Sequence, residues 1–320
     1  MTIRIALIIL FGILFWGNPA PGAPEKTGAE ETVTLLFVGD IMLDRGVEFY
    51  TTRHNDWRWP FLKIADFLRK ADLVFGNLES VISDKGENQG SIYSFRADPR
   101  ALEGLVFAGI DVVSVANNHS FDYGPEAFAD SASRLKKTGI TPVGIKLFSA
   151  IAHNNSGLEI REVKGTTLGF LAYTNAGSPL WQATQTTPGV AWVDEYTIED
   201  FQNTIREAKQ QSDILVVSLH FGEEYQTQPS YTQKFIAESA IDAGADIVIG
   251  HHPHVVQPVE QYKDGWIAWS LGNFVFDQGF SKETMEGLLL EVKIEGKKIA
   301  QVIPRAIRIN SLFQPELVAY

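Results

Sequence analysis

Four segments of this chain share one layout, in which a stretch of helical periodicity precedes a short, continuous apolar run. The runs occupy 71–77, 109–113, 212–217 and 244–249, and a further run at 32–40 is predicted to be the first strand. Apolar strands that alternate with helices are typical of parallel sheets buried on both faces. The layout therefore predicts an α/β domain whose ligands gather at the carboxyl ends of the strands.

Other segments depart from this layout. Residues 158–173 and 287–309 each have a polar, glycine-containing turn at the centre and are predicted to form antiparallel hairpins. The segment 174–193 lacks periodicity and is rich in Ser, Thr, Gln, Pro and Trp, so we expect a long loop over the strand ends. The same interpretation applies to 49–59 and 84–98. The whole pattern predicts a pair of mixed sheets flanked by helices.

Two of the predicted helices have recognisable ends. Asp98 and Pro99 are typical of a helix start, and Gly109 is typical of the residue that follows a helix. Thr197 and Asp200 have the spacing of a capping box. Each of these helices leads into one of the apolar runs.

The first residues of the chain resemble a secretory signal. Arg4 precedes an uncharged apolar stretch at 5–16, and small residues and prolines follow it. The apolar stretch is short for a membrane span of about 20 residues. Because Ala20 and Ala23 are each followed by proline, which hinders a peptidase, cleavage stays open. We predict that residues 1–23 are either a signal peptide or an N-terminal membrane anchor.

The rest of the chain shows no internal repeat and no boundary between two domains. A chain of 320 residues with 45% hydrophobic composition can form a sizeable core. We predict a linker at 24–31, a single domain at 32–312 and a C-terminal tail at 313–320.

Composition excludes several classes of site and partner. The absence of cysteine rules out disulfides, lipoprotein attachment and thiolate metal ligands. The formal net charge is −12, and no run of basic residues could follow a phosphate backbone. Nucleic acid is therefore not an expected partner.

Polar side chains gather where the predicted strands end. In chain order they are Asp40, Glu79, Asn118, His119, His220, His252 and His254. Two carboxylates, an amide oxygen and several imidazoles would converge at one edge of the sheets. Mixed oxygen and nitrogen donors suit zinc, manganese, iron or cobalt better than calcium or copper(I). The pattern predicts a metal centre, in which an open position would hold a water of lowered pKa.

Six motifs occur along the chain, and five of them contain these residues. They are Gly39-Asp40-Ile41-Met42, Gly76-Asn77-Leu78-Glu79, Asn117-Asn118-His119-Ser120-Phe121-Asp122-Tyr123-Gly124, Leu219-His220-Phe221-Gly222-Glu223-Glu224-Tyr225, Gly250-His251-His252-Pro253-His254 and Ser270-Leu271-Gly272-Asn273-Phe274. Their order resembles the calcineurin-like metallophosphoesterase superfamily and, within it, the CapA family linked to poly-γ-glutamate capsule synthesis. The resemblance spans residues 33–310. It implies a four-layer α-β-β-α sandwich of the metallo-dependent phosphatase type, with mixed sheets.

The resemblance also implies roles for individual residues. One or two divalent ions would be held by Asp40, Glu79, Asn118, His220, His252 and His254. His119 would face the substrate as a proton donor or oxyanion stabiliser, and Asp122 would fix the tautomer of its ring. The adjacent His251 is expected to have a supporting or structural role.

Four further residues near the motifs are candidates for substrate contact. They are Arg45, Asn77, Glu224 and Asn273. A salt bridge or a hydrogen bond within a loop explains each of them equally well.

Two positions depart from the superfamily pattern. The pattern has a histidine two residues after the first aspartate, whereas this chain has Met42, and a thioether is a poor ligand for a hard ion. Glu79 replaces the bridging aspartate with a longer side chain. For these reasons the number of ions, one or two, stays open.

The resemblance implies an exported protein, in the periplasm or at the cell surface, either free or tethered by residues 1–23. Its metal-dependent site would hydrolyse a phosphoester or an acyl or amide bond, during synthesis of poly-γ-glutamate or a related anionic polymer. One alternative is a non-catalytic, polymer-binding accessory subunit of a membrane synthase or exporter. Another is a general periplasmic phosphatase. The expected partners are thus an anionic polymer or a small phosphoester, together with synthase or exporter subunits.

Overall fold

The computed structural model describes residues 31–146, 157–184 and 189–318. The predicted signal or anchor segment, 1–23, lies outside the described residues, as does most of the predicted linker, 24–31. Among the described helices, none combines the length and the apolar character that crossing a membrane requires.

The strands and helices of the described residues follow one another in this order. The strands are β1 (Val33–Ile41), β2 (Leu73–Leu78), β3 (Val81–Ile82), β4 (Arg96–Ala97), β5 (Val112–Ser114), β6 (Thr141–Val143), β7 (Ile145–Lys146), β8 (Glu159–Val163), β9 (Thr166–Thr174), β10 (Gly189–Val190), β11 (Ile214–His220), β12 (Ile247–His251), β13 (Val259–Tyr262), β14 (Gly265–Ala268), β15 (Asn273–Val275), β16 (Glu286–Glu295), β17 (Lys298–Ile309) and β18 (Pro315–Leu317). The α-helices are α1 (Arg45–His54), α2 (Ala65–Leu68), α3 (Leu102–Ala108), α4 (Gly124–Lys137), α5 (Ile198–Lys209) and α6 (Tyr231–Asp242).

Most of these strands belong to two mixed sheets. The first has the order β18-β17-β16-β1-β2-β5-β6, and β15 also pairs with β1. The second has the order β13-β14-β12-β11-β9-β8. In each sheet a parallel centre is extended by antiparallel pairs, β16 with β17 in the first and β8 with β9 in the second. Both predicted hairpins are thereby confirmed.

The second sheet is buried on both faces, which explains its continuous apolar strands. Because side chains alternate along a strand, Val216 joins the large core shared with the first sheet, whereas Leu215 and Val217 join a smaller core on the opposite face. Phe75 of the first sheet stacks on Phe170 of the second, with ring centroids 5.9 Å apart. The two sheets therefore pack face to face.

Helices cover the outer faces of this pair of sheets. Leu68, Leu105 and Leu135, from α2, α3 and α4, belong to the large core around the first sheet. Phe201 and Ile236, from α5 and α6, belong to the smaller core on the second sheet. The predicted four-layer α-β-β-α sandwich is confirmed.

Helix signals in the sequence had different outcomes. The Asp98 side chain accepts a hydrogen bond from Arg100 N at the start of a 3-10 turn that leads into α3, and Gly109 ends that helix with φ 77°. This prediction is confirmed. The capping box at Thr197 is wrong, because the Thr197 hydroxyl is bonded within the preceding turn, to the backbone N and the carboxylate of Asp194.

Four segments predicted to lack regular structure contain some: the short strands β4 and β10 lie within 84–98 and 174–193, and the other two segments are 49–59 and 313–320. The loop prediction for 49–59 is wrong over its first half, because α1 continues to His54. Asp44 caps that helix at its start, and Asn55 ends it in the left-handed conformation. Within 313–320, predicted to be a tail, Pro315–Leu317 forms β18 on the edge of the first sheet.

Candidate metal centre

The carboxyl ends of the central strands of both sheets meet at one edge of the sandwich. Asp40 near the end of β1 stands beside Asn77 of β2, and Asn273 of β15 flanks Asp40 on the other side. In the second sheet His220 ends β11 in register with His251, which ends β12. Parallel register therefore places polar residues from distant parts of the sequence at one level, as the sequence pattern predicts.

Six donor side chains form two compact sets at this edge. Within each set, one ligand atom from every residue lies within 4.8 Å of the others. One set is Asp40, Glu79 and His220, and the other is Glu224, His252 and His254.

Direct contacts connect the two sets. The Nδ1 atom of His254 lies 3.3 Å from Asp40 Oδ2, and its Nε2 atom lies 3.5 Å from Glu79 Oε1. Asn118 joins the first set, since its Oδ1 atom lies 2.7 Å from His220 Nε2. The structure thus brings together all six side chains that the resemblance implies as ligands.

Asn77 lies at the base of the centre and is fully buried. Its Nδ2 atom donates to Asp40 Oδ1 at 2.9 Å and to Glu79 Oε2 at 3.3 Å, and it lies 3.3 Å from His220 Nδ1. Its Oδ1 atom accepts a hydrogen bond of 3.1 Å from Asn117 Nδ2. One amide therefore fixes two carboxylates and an imidazole, which is the usual task of groups behind a metal ligand.

The two buried carboxylates have opposite electrostatic character. Burial alone would raise the pKa of Asp40, but contacts with the imidazoles of His251 and His254 outweigh it and hold the pKa well below its usual value. Burial, followed by the negative charges of Asp40 and Glu224, raises the pKa of Glu79 well above its usual value. Two adjacent carboxylates cannot both ionise easily unless a cation compensates their charge.

Two imidazoles, those of His220 and His252, have lowered pKa values, which favours the neutral form that binds metals. Burial, and then the charge of His252, lowers the pKa of His220 well below its usual value. Burial, and then the charge of His254, lowers the pKa of His252 to about 3. A neutral imidazole has a free lone pair, so low pKa values favour metal ligation.

The donor atoms themselves fit a divalent ion. In the described part of the chain, the buried atoms Glu79 Oε1 and His252 Nδ1 have no hydrogen-bond partner. Leaving a buried polar atom unpaired costs about 1–3 kcal/mol, and ligation of an ion would remove that cost. Mixed nitrogen and oxygen donors suit zinc, manganese, iron or cobalt.

His119 and Asp122 form a pair beside the donor sets. The Nδ1 atom of His119 lies 2.7 Å from Asp122 Oδ2, and its Nε2 atom lies 3.8 Å from Glu79 Oε1. Asp122 Oδ2 also accepts a hydrogen bond of 2.8 Å from the backbone N of Phe95. The Phe95 ring packs on the imidazole at a centroid distance of 4.1 Å. The orientation of the His119 ring is therefore fixed from two sides.

A cavity of about 360 Å³ opens over this pair. Its walls are Arg45, Tyr93, Phe95, His119, Glu224, Tyr225, His254, Phe276, Asp277, Gln278 and Phe280. Arg45 forms an ion pair with Asp277 and lies over the Phe95 ring, 4.6 Å from its centroid. The cavity wall thus combines the guanidinium group of Arg45, the imidazoles of His119 and His254, and several aromatic rings.

The backbone around the cavity is conformationally unusual. Arg45, Tyr225, His252 and His254 all have positive φ, at 53°, 63°, 97° and 57°. Such conformations are costly for residues other than glycine and concentrate at functional sites. The turn after β12 therefore holds its two imidazoles in an arrangement that an ordinary turn would not provide.

The four residues proposed for substrate contact fall into two groups. Arg45 and Glu224 line the cavity. Asn77 and Asn273 are fully buried below it, and Asn273 Oδ1 lies 3.0 Å from His254 Nδ1. Both asparagines therefore contact implied ligands rather than the cavity.

The aromatic residues of the cavity wall and the contact between His251 and Asp40 were not predicted from the sequence. Tyr225 directly follows Glu224, and Phe276 and Phe280 follow the last motif, so proximity to motifs was the available signal. His251 is fully buried, and its Nδ1 atom lies 3.3 Å from Asp40 Oδ1. Its supporting position agrees with the expectation.

Fold and site together define an α/β protein with a buried histidine and carboxylate centre of the metal-binding type. The model of the family described as "Bacterial capsule synthesis protein PGA_cap" matches residues 34–278. Since this match covers most of the chain, the protein belongs to that family, and the resemblance to the CapA family is confirmed.

Relatives agree with this assignment. The PGA biosynthesis protein CapA of Bacillus subtilis (strain 168) is 32% identical, over 99% of this chain and 85% of its own. The capsule biosynthesis protein CapA of Bacillus anthracis is 33% identical, over 97% of this chain and 76% of its own. A protein of Mycobacterium tuberculosis described as "Probable polyglutamine synthesis accessory protein" is 27% identical, over 78% of this chain and 76% of its own.

Proposed function

We propose that this protein is an exported, metal-dependent hydrolase that acts on an anionic polymer or its precursor during bacterial capsule synthesis. The bond is a phosphoester or an acyl or amide bond. One observation carries the proposal: His119, which Asp122 orients, lines a cavity whose wall also contains Glu224 and His254 of the donor sets. Binding of a polymer alone has no need for an oriented imidazole.

The residues that would hold divalent ions are the implied ligands already described. When bound, such an ion supplies a water of lowered pKa and stabilises negative charge on the reacting group. Asn77 keeps the carboxylates in place, and the neutral imidazoles offer their lone pairs.

His119 is the residue that moves a proton. Its Nδ1–H donates to Asp122, so Nε2 is the atom that exchanges a proton with the substrate. With Nε2 protonated, the ring stabilises a developing oxyanion or protonates a leaving group. Asp122 holds the ring and stabilises its charged form.

Arg45 is the residue of the cavity wall that would contact an anionic group of the substrate. The formal charge of the chain is −12, and the cavity wall also contains Glu224 and Asp277. A guanidinium among acidic side chains provides a local attraction for a carboxylate or phosphate group. This fits the anionic polymer that the resemblance to the CapA family implies.

Assays of turnover with a matched pair of variants test the proposal. The purified full chain is loaded with manganese or zinc and assayed on a phosphate ester and on a γ-linked glutamate oligomer. We expect turnover of one bond class, and a decrease of roughly 10²- to 10⁴-fold in kcat for His119→Ala with unchanged metal content. His54→Ala, on the exposed end of α1, is the control. If the metal-bound protein turns over neither bond class, the hydrolase proposal is wrong.

A second candidate is a polymer-binding accessory subunit of a membrane synthase or exporter. The relative from Mycobacterium tuberculosis, which is described as an accessory protein, favours it. In that case the oligomer binds without turnover, and His119→Ala leaves its Kd unchanged. Turnover of small phosphoesters alone would instead identify a general phosphatase.

Export rests on the predicted segment 1–23. Cell fractionation of the full chain should place it outside the cytoplasm, and a chain that lacks residues 1–23 should stay inside. Equal distribution of the two proteins would contradict export by this segment.

A further inference from the structure

The two donor sets differ in where their residues stand. Asp40 and His220 lie in strands, and Glu79 directly follows one. Glu224, His252 and His254 come from the loops after β11 and β12. Among the residues implied as ligands by resemblance, Glu224 is absent, yet one of its carboxylate oxygens and one nitrogen of each imidazole lie within 4.8 Å of one another.

Glu224 is exposed, and the contacts of its neighbours fix the backbone that carries it. Tyr225 N donates a hydrogen bond of 2.8 Å to the carbonyl of Pro253, the residue between the two histidines. The loop turns at Gly222, which has φ 100°, and a Cβ atom there would lie 2.5 Å from the Gln233 side chain. The Gln233 amide is itself held by the N-cap of α6 and by Gln257. The loop is thus tied to the histidine turn and to a helix.

Strand β1 cannot supply a further donor. Met42 is fully buried, and its sulfur accepts a hydrogen bond of 3.1 Å from the backbone N of Asp44. Asp40 is therefore the ligand that β1 contributes. His254 contacts Asp40 and Glu79, whereas His252 Nδ1 is a buried nitrogen that lacks a hydrogen-bond partner among the described residues.

We infer that Glu224 is a metal ligand, and that its carboxylate joins His252 and His254 in holding a divalent ion of the zinc type at this centre. Two imidazoles and one carboxylate with an open position form a common set for such ions. The inference rests on the metal centre of the proposed function, but it does not depend on hydrolysis of any bond.

Metal binding by Glu224 variants tests the inference. The full chain, freed of metal with a chelator, is titrated with Zn²⁺ against a chromophoric chelator, and bound zinc is measured by elemental analysis. We expect Glu224→Ala to bind one ion fewer per chain than the wild type. The affinity of the position that is lost should fall by at least about 100-fold, exceeding the roughly 10- to 100-fold effect of residues behind the ligands. Glu223→Ala, at the neighbouring exposed residue, should bind as the wild type does.

Cobalt provides a second measurement. Co²⁺ bound to the wild type should show visible absorption bands that change in Glu224→Ala and in the isosteric Glu224→Gln, and circular dichroism should show that both variants fold. Unchanged zinc stoichiometry, affinity and cobalt spectrum in a folded Glu224→Ala would overturn the inference and leave the metal centre intact. A wild type that binds no ion would overturn both.

Discussion

The floor of the site and its mouth are built in different ways. The floor, formed by Asp40, Asn77 and Glu79, stands in or directly after central strands and is fully buried. The mouth, formed by Tyr93 and Phe280, lies on loops. Tyr93 has 65% of its surface exposed and Phe280 has 66%. Strands fix positions closely, whereas loops tolerate change. Because of this difference, we expect substitutions in the mouth to change substrate choice without changing metal binding.

The largest effect is expected for a substitution in the floor of the site. Asn77→Ala removes the donor to both carboxylates and leaves buried polar groups unpaired, so we expect a loss of about 3 kcal/mol in the free energy of unfolding. Metal affinity should fall roughly 10- to 100-fold. Urea unfolding and zinc titration measure the two effects.

Asn203→Ala, on the exposed side of α5, is the control for this substitution. A loss below about 1 kcal/mol for Asn77→Ala would show that the floor is not fixed by this amide.

A second prediction concerns the pH dependence of the metal-free protein. Burial lowers the pKa of His252 to about 3, whereas the unfolded chain has an ordinary histidine pKa near 6.5. The unfolded state therefore binds a proton that the native state refuses, and the contribution of His252 to stability is present above pH 6.5 and lost as the pH falls toward 3. Between pH 7 and pH 5 this loss amounts to about 2 kcal/mol.

Urea unfolding in the presence of a chelator measures the effect. The decrease in the free energy of unfolding from pH 7 to pH 5 should be about 2 kcal/mol smaller in His252→Asn than in the wild type. Equal decreases would mean that His252 is protonated in the native protein.

The third prediction concerns Arg45, which stands between floor and mouth. Arg45→Ala should weaken binding of a γ-linked glutamate oligomer by about 10-fold, which corresponds to about 1.4 kcal/mol. Arg45→Lys should restore part of the affinity. Metal content should stay that of the wild type, because Arg45 contacts Asp277 and not the donor sets.

Arg53→Ala, later on α1, is the matched control. Binding by Arg45→Ala with the wild-type Kd would remove Arg45 from substrate recognition.

The smallest effect belongs to the mouth. Phe280→Ala removes an exposed ring that packs edge-on against Tyr225 at a centroid distance of 5.2 Å. We expect a change of roughly threefold in oligomer Kd, a free energy of unfolding within about 0.5 kcal/mol of the wild type, and unchanged zinc binding. Oligomer titration and urea unfolding measure these quantities. Loss of zinc here would contradict the separation of mouth and floor.

The sequence predicted those parts of the fold that depend on local patterns. The apolar runs became strands, and the hairpins around β8–β9 and β16–β17 formed where turn residues indicated. Helix α1 was missed, because 49–59 contains aromatic and charged residues without a clear apolar stripe. Thr197 was misassigned, because its hydroxyl had two local partners and the spacing rule considers only one.

Sequence by itself determined which side chains could gather at the strand ends, because parallel strands bring their carboxyl ends to one edge. Asp40, Glu79 and His220 follow from that rule alone. The place of Glu224 beside His252 and His254 was decided by tertiary structure, through the hydrogen bond from Tyr225 to Pro253. So was the position of Asn77, whose role depends on groups up to 143 residues away in the chain. Periodicity encodes the direction of a strand, but the contact between two loops exists only after both sheets have packed.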